Sequence, residues 1–124
     1  MDNVEIIEEQ TSESILTSIK KLLEITEEYD AFDTDIIIHI NSAFMILNQL
    51  GVGPSEGFRI KDKSDTWNAF TSDVLKIESV KTYIYLKVKL VFDPPSNSIV
   101  LEAYNSQISE LEWRLNVAVD SSVE

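Results

Sequence analysis

The apolar residues near the start of the sequence recur at the spacing of an amphipathic helix. Four of them share one face of a helical wheel: Ile15, Ile19, Leu22 and Leu23. On the same wheel Lys20 and Lys21 face away from this apolar side. The pattern predicts a helix over residues 13–24, with Thr11 or Ser12 as its capping residue.

A longer helical pattern covers residues 33–50. Its apolar face consists of Ile36, Ile37, Ile40, Ala43, Phe44, Met45, Leu47 and Leu50. Asp33 and Thr34 are the candidate capping residues, and Gly51 supplies the end of the helix. The β-branched run 36–38 favours a strand in isolation, but the length of the pattern and the terminal glycine favour a helix. We therefore expect a central, largely buried helix.

The segment after this helix has the composition of a loop. Residues 51–65 contain all three glycines of the chain and one of its prolines, which predicts a long connection. Ser64 or Asp65 is then expected to cap a short helix that carries Trp67 and Phe70. Because these two aromatic residues are three apart, they would lie on one face and cover the core.

Residues 74–92 fit two different periodicities. Ile84, Leu86, Val88, Leu90 and Phe92 alternate with Tyr85, Lys87 and Lys89, as in a strand. The wheel of a helix also separates them, into an apolar line of Ile77, Val80, Ile84, Val88 and Val91 and a polar arc of Glu78, Lys81, Thr82, Tyr85 and Lys89. A strand of this length needs partners, and the chain offers no second strong candidate. The segment is therefore predicted to be a helix, in which only Lys87 lies among apolar neighbours.

A pair of prolines separates this segment from the last helical pattern. Asp93, Pro94 and Pro95 end the preceding helix, since proline lacks the backbone donor and restricts the residue before it. Ser96 or Ser98 is expected to cap the next helix. Its apolar positions repeat every three or four residues: Val100, Tyr104, Ile108, Leu111 and Leu115.

Together these patterns predict an all-α protein. Residues 13–117 would form a compact bundle of about four to five helices, with a long loop after the second helix. The acidic residues 1–12 are predicted to be a flexible arm, and residues 118–124 a flexible tail, because both are too polar to contribute much to a core.

Composition narrows the class of protein. At 124 residues and 44% hydrophobic residues, the chain is long and apolar enough for one domain with its own core. It has no cysteine, which excludes disulfides, thiolate nucleophiles and cysteine-ligated metals. The net charge of −12 disfavours binding to phosphate backbones and to anionic membranes. No apolar run is long enough for a membrane span and no secretion signal is visible, so we expect a protein made in the cytoplasm.

Candidate catalytic residues are few. His39, the one histidine, lies in an apolar helical stretch and is interpreted as a core or interface residue. The pairs Asp33 with Asp35 and Glu110 with Glu112 are two residues apart, so their side chains point to different faces of a helix. The segment GVGPSEG matches neither of the common phosphate-binding loops. We expect no enzymatic activity, no metal and no cofactor.

Three residues are candidates for protein contacts. Lys87 must extend to solvent, pair with an acid or lie at an interface, because it sits on an otherwise apolar face. Trp113 and Tyr104 are interpreted as partly core and partly contact residues, since aromatic residues are enriched at interface centres.

Three segments resemble a known family. The strings DTDIIIHINSAFMILNQLGVGP, VKTYIYLKVKLVFDPP and VLEAYNSQISELEWRLNV are similar to prophage proteins described as head-to-tail connectors, also called adaptor or neck proteins of long-tailed bacteriophages. The resemblance covers roughly residues 13–117. Its most specific parts are the DPP junction and the ending that contains EWRLN.

The resemblance implies a helical bundle whose copies form a ring, expected to be dodecameric, in the neck of the virion between head and tail. The partners would be the portal protein, a tail-side neck or stopper protein and other copies of the chain. Genomic DNA would pass through the ring without specific binding. The family has no catalytic residues to transfer.

By similarity, contacts are expected at the termini and at the loop 51–65. The residues that we predict at contacts are Phe58, Arg59, Lys87, Trp113, Arg114, Leu115, Val117 and Val119. Two other functions remain open. A tail-completion or stopper protein would more often be rich in strands, and a small acidic regulator that mimics DNA would act as a monomer or dimer against a basic enzyme.

Overall fold

The structure, a computed structural model, describes residues 12–123, with side chains described through Val119. The predicted arm of residues 1–12 therefore lies almost wholly outside the described part of the chain. In this part of the chain five helices follow one another: α1 Ile15–Leu22, α2 Asp33–Gln49, α3 Trp67–Phe70, α4 Val74–Phe92 and α5 Ser98–Val123. Residues 12–123 contain no strand, only one isolated bridge between Ser14 and Thr66. The predicted all-α bundle with a long loop after its second helix is confirmed.

The segment with two possible periodicities is a helix. It forms α4, which packs against α1, α2 and α5, so its buried residues extend over more than one face. They are Ile77, Val80, Tyr83, Ile84, Leu86 and Val88. Because other helices pack against several sides of α4, apolar residues are not confined to one of its faces. Its sequence can therefore alternate like a strand and still form a helix. Val91 of the predicted apolar line is exposed, as is Met45 of α2, and both predictions of burial are wrong.

The end of α2 follows the predicted glycine signal. Gly51 has a positive φ of 83° and donates its N–H to the carbonyl of Asn48 at 3.0 Å. Val52 donates to the carbonyl of Leu47 at 2.8 Å, and both of these side chains are buried. This is the Schellman arrangement, in which a left-handed residue lets the chain reverse and satisfy the last carbonyls of the helix.

The capping residues of α1 and α5 differ from the predicted ones. Ser14, not Thr11 or Ser12, accepts from the N–H of Thr17 at 3.2 Å, because its bridge to Thr66 keeps it extended. The carboxamide of Asn97 accepts from the N–H groups of Ile99 and Val100 and caps α5, in place of Ser96 or Ser98. Several polar residues lie near each helix start, and periodicity alone does not select among them.

The predicted caps of α2 and α3 are also wrong. Phe32 precedes α2 and Thr66 precedes α3, and neither makes a side-chain cap. Asp33 forms an ion pair instead, and Asp65 accepts from the N–H groups of Lys61 and Asp62 to close a turn in the loop.

Lys20 is the largest departure from the predicted pattern. The helical wheel placed it on the polar side, yet only 2% of the residue is exposed. Its ammonium group donates to the carbonyls of Glu27 and Tyr29 at 3.0 and 2.9 Å and pairs with the Asp33 carboxylate at 2.8 Å. The loop between α1 and α2 folds over this lysine, and the three oxygens replace the water that it has lost.

The last two helices form an antiparallel hairpin around the double proline. Tyr83 of α4 donates to the carboxylate of Glu112 on α5 at 2.7 Å. Further along α5, Asn116 donates to the carbonyl of Leu50 at the end of α2. The helix continues to Val123, beyond residue 117 where the predicted domain ends. Flexibility of residues 118–124 stays a prediction.

Two glycines of the loop offer a matched test of packing. Gly53 and Gly57 have φ of 94° and 90°, so alanine is strained at both. A Cβ at Gly53 would lie 2.5 Å from the Phe70 ring, whereas at Gly57 the nearest atom is 3.8 Å away, on Asn48. We expect Gly53→Ala to lower the free energy of unfolding by about 1–3 kcal/mol more than Gly57→Ala, the range typical of overpacking. Urea unfolding followed by circular dichroism would measure both, and equal losses would contradict a close contact at Gly53.

Candidate functional site

A groove of about 520 Å³ runs between α2 and the loop that follows it. The α2 side is formed by one helical stripe: Ile38, Asn41, Ser42, Met45 and Asn48. The opposite side is formed by residues 56–59 of the loop, and Phe44 lies in the floor. Met45 is 64% exposed and Ile38 is 55% exposed, so the groove presents apolar side chains to solvent.

Aromatic packing holds the loop side of the groove in place. The ring of Phe58 meets those of Phe44 and Phe70 edge to face, with centroids 5.0 and 5.4 Å apart. Next to it, the carboxamide of Asn41 pairs with both the N–H and the carbonyl of Ile60, at 2.8 and 3.0 Å. The groove is thus a fixed feature of the fold, and Phe58 combines a core role with its predicted contact role.

Sequence reasoning missed the α2 side of this groove. Ile38 and Met45 are seven residues apart and therefore share a face, which also carries Asn41, Ser42 and Asn48. Two large apolar residues on an otherwise polar face are the signal for an exposed patch. The broad apolar face expected for a central helix includes Met45, which is why the sequence places it in the core.

Three basic residues lie at or near the loop side of the groove, together with three acids of the same loop, Glu56, Asp62 and Asp65. Arg59 lines it, and Lys61 and Lys63 follow, all three exposed. They make no ion pair within the described part of the chain. The neighbouring acids form hydrogen bonds within the loop instead. Asp65 accepts from two backbone N–H groups. Asp62 accepts from Ser64, and this hydrogen bond lowers the pKa of the Asp62 carboxyl.

Three exposed apolar residues lie on the outer side of α5, where Ser106 and Glu110 separate the first from the other two. Ile99 is 74% exposed and Trp113 67%, and Val117 is also exposed on this side. Ile99 and Val117 are 18 residues apart, which is five turns of a helix, and Trp113 lies one turn before Val117. We call these three residues the α5 stripe. Of the predicted contact residues, Trp113 and Val117 therefore lie on one accessible face.

The other predicted contact residues are less accessible or already paired. Arg114 is exposed and binds the Glu110 carboxylate at 2.7 Å, an ion pair of two residues four apart. Leu115 is only 7% exposed and lies in the core. Val119 is half-buried and approaches Gly51. In the described chain Leu115 and Val119 thus hold α5 against the bundle.

Lys87 is half-buried on α4. It forms no hydrogen bond or ion pair with residues 12–123. Lys89, two residues later, instead pairs with Asp93 at 2.8 Å, and this bond raises the pKa of the Lys89 ammonium group. A role for Lys87 across a subunit interface stays a prediction.

The acidic pairs and the histidine are not assembled into a site. Glu110 pairs with Arg114, whereas Glu112 accepts from Tyr83, so the two carboxylates point to different neighbours. Burial, together with this hydrogen bond, raises the pKa of the Tyr83 hydroxyl. His39 is half-buried on α2. Within residues 12–123, no group of three or more acidic or histidine side chains is placed to hold a metal ion.

None of the helices in the described part of the chain has a stretch both long and apolar enough to cross a membrane. No curated protein and no solved structure matches the chain. The model of a family described as "Phage connector protein" matches residues 15–122, nearly the whole described chain. The chain therefore belongs to the phage connector protein family and is a connector-type structural protein.

Proposed function

We propose that this protein is a head-to-tail connector subunit that forms a ring, expected to be dodecameric, in the neck of the virion. Its partners are the portal protein on one side, a tail-side neck or stopper protein on the other, and neighbouring copies of itself. Family membership supports the connector class. The observation that supports contacts with these partners is the α5 stripe. It leaves apolar side chains exposed to solvent on a well-packed domain.

The α5 stripe suits a contact between proteins. A tryptophan buried at an interface centre contributes more than most residues, because it removes a large apolar area from water. Arg59 and Phe58 at the groove and Lys87 on α4 complete the proposed contact set. Trp113 is the residue at which we expect the largest effect on assembly.

The charge of the chain supports passage of DNA through such a ring. Every copy carries −12, so the wall of a channel built from many copies is negative overall. A negative wall releases no counterions from DNA and does not hold it. An assembled ring that retards DNA at physiological salt would contradict this part of the proposal.

The all-helical fold favours a connector over a stopper protein, for which strands are expected. A DNA-mimicking regulator is a different class, because it would act as a soluble monomer or dimer against a basic enzyme. Assembly with the portal protein separates the two functions.

The test is to mix the protein with the portal protein of the same phage and to image the product by electron microscopy. We expect a ring of this protein on the portal. Trp113→Ala should weaken its binding about 30-fold or more, since loss of an interface anchor costs at least about 2 kcal/mol. The matched control is Leu22→Ala, which removes an exposed apolar side chain from α1. Absence of a ring would contradict the connector function, and equal binding by both variants would contradict a contact at Trp113.

A further inference from the structure

The apolar side of the groove lies on the outer face of α2. Around this helix the exposed Ile38 and Met45 are opposite the buried Ile36 and Leu47, which face the core. The groove therefore opens away from the bundle, and its apolar side chains can be covered only from outside.

The α5 stripe also faces away from the bundle. Trp113 and Val117 are exposed on the side of α5 opposite the buried Ile108 and Leu115. α2 and α5 both pack against α4, which fixes their orientation in the bundle. Because both surfaces point outward from a packed domain, the α5 stripe of one chain cannot fill the groove of that same chain. An occupant of the groove must come from another molecule.

The groove and the α5 stripe have complementary shapes. A groove of about 520 Å³ falls in the range of about 300–1,000 Å³ that encloses small organic molecules, so it has room for an indole ring. Trp113 projects such a ring from the convex surface of a helix. Ser42 lines the groove and donates its hydroxyl proton to the carbonyl of Ile38 at 3.0 Å. Its oxygen can still accept the N–H that a tryptophan needs to satisfy when it becomes buried.

Charged residues beside the two surfaces are complementary as well. Glu56 and Arg59 line the loop side of the groove, and both are exposed. Glu110 and Arg114, also exposed, lie on either side of Trp113 along α5. If Arg59 meets Glu110 of another copy, Glu56 comes to lie beside its Arg114, whereas the reverse direction of α5 brings like charges together. Exposed ion pairs add little affinity, but this pattern selects one orientation.

We propose that the groove of one copy receives Trp113 and Val117 of the next copy. This contact rests on the ring of the proposed function and specifies which two surfaces join its neighbours. Because the two surfaces differ, every contact leaves a free groove on one copy and a free α5 stripe on the other. The same contact then repeats from copy to copy until the ring closes.

Cross-linking tests the contact directly. The chain has no cysteine, so introduced cysteines are its only thiols. Glu56→Cys/Arg114→Cys is assembled on a cysteine-free portal protein and treated with a short bismaleimide. We expect a ladder of covalent multimers on a denaturing gel, since each chain is linked to two neighbours. The loss of one exposed ion pair should have a small effect on assembly. The matched control, Lys21→Cys/Arg114→Cys, places one thiol at an exposed position of α1 outside the groove and should give several-fold fewer multimers.

The outcomes separate the contact from the ring itself. A ring that yields single chains, or chains linked to the portal alone, would overturn the contact while the connector function stands. Covalent pairs without longer species would also overturn it, because they indicate a closed contact between two copies. Absence of any ring would contradict the proposed function and remove the basis of the contact as well.

A charge exchange tests the orientation of α5 in the groove. Arg59→Glu should weaken assembly on the portal several-fold, because its carboxylate meets that of Glu110 in the next copy. The double variant Arg59→Glu/Glu110→Arg should recover most of the assembly, measured as the fraction of portals that carry a ring in electron micrographs. Both residues are exposed, so circular dichroism should show the same fold in all variants. A double variant as weak as Arg59→Glu would overturn the proposed pairing.

Discussion

Replacing Lys20 by methionine should lower the free energy of unfolding by about 3 kcal/mol, the lower end of the range for breaking a buried ion pair. Methionine retains most of the aliphatic part of the lysine side chain. The decrease in the free energy of unfolding therefore measures the contribution of the ammonium group. Without it, the Asp33 carboxylate has no cation, and the carbonyls of Glu27 and Tyr29 lose their donor. Asp33 is 27% exposed, which limits the cost. Chemical unfolding monitored by circular dichroism at 222 nm is the measurement.

Two further variants separate charge from packing. Lys21→Met changes the next residue, which is exposed, and should alter stability by less than about 0.5 kcal/mol. The double variant Lys20→Met/Asp33→Asn removes both charges and should be more stable than Lys20→Met alone, because no uncompensated carboxylate remains. A double variant no more stable than the single one would show that the carbonyls of the α1–α2 loop, not Asp33, dominate the effect.

Trp67→Ala is expected to lower the free energy of unfolding by about 3–5 kcal/mol, the range found when a buried aromatic residue is replaced by alanine. Trp67 is completely buried beside Phe44, and its indole N–H donates to the Ser18 hydroxyl at 3.0 Å. Its removal leaves a cavity between α1, α2 and α4 and deprives Ser18 of a donor. Thermal and urea unfolding would measure the loss. Because the domain has a limited total stability, Trp67→Phe gives a milder form of the same test.

The second tryptophan serves as the matched control. Trp113→Ala removes a side chain that is mostly in solvent and should change stability by less than about 0.5 kcal/mol. The two substitutions should thus have opposite profiles: Trp67→Ala acts on folding, and Trp113→Ala acts on assembly. A Trp113→Ala variant as unstable as Trp67→Ala would contradict the exposed position of Trp113.

The two surfaces differ in shape. The α5 stripe is a row of separate exposed side chains on one helix. The groove is concave, with exposed Ile38 and Met45 on its α2 side and Phe58 on its loop side.

Local patterns fixed the number and type of the helices. The glycine after α2, the double proline after α4 and the periodic apolar positions each act within a few residues of the chain, so they are readable without a structure. The helix over residues 74–92 needed one further argument, the lack of a partner strand. The family resemblance depended on such local strings as well.

Tertiary structure alone decided which side chains lose their water. Lys20 is buried because the loop that follows its own helix folds back over it, and Met45 is exposed because no element of residues 12–123 covers its side of α2. The cap of α1 was likewise selected by a neighbour in space, because Ser14 forms a bridge with Thr66. A helical wheel gives the direction of a side chain but not what lies in that direction. For this reason the sequence predicted the bundle, whereas the groove and the buried lysine emerged only from the packing of its parts.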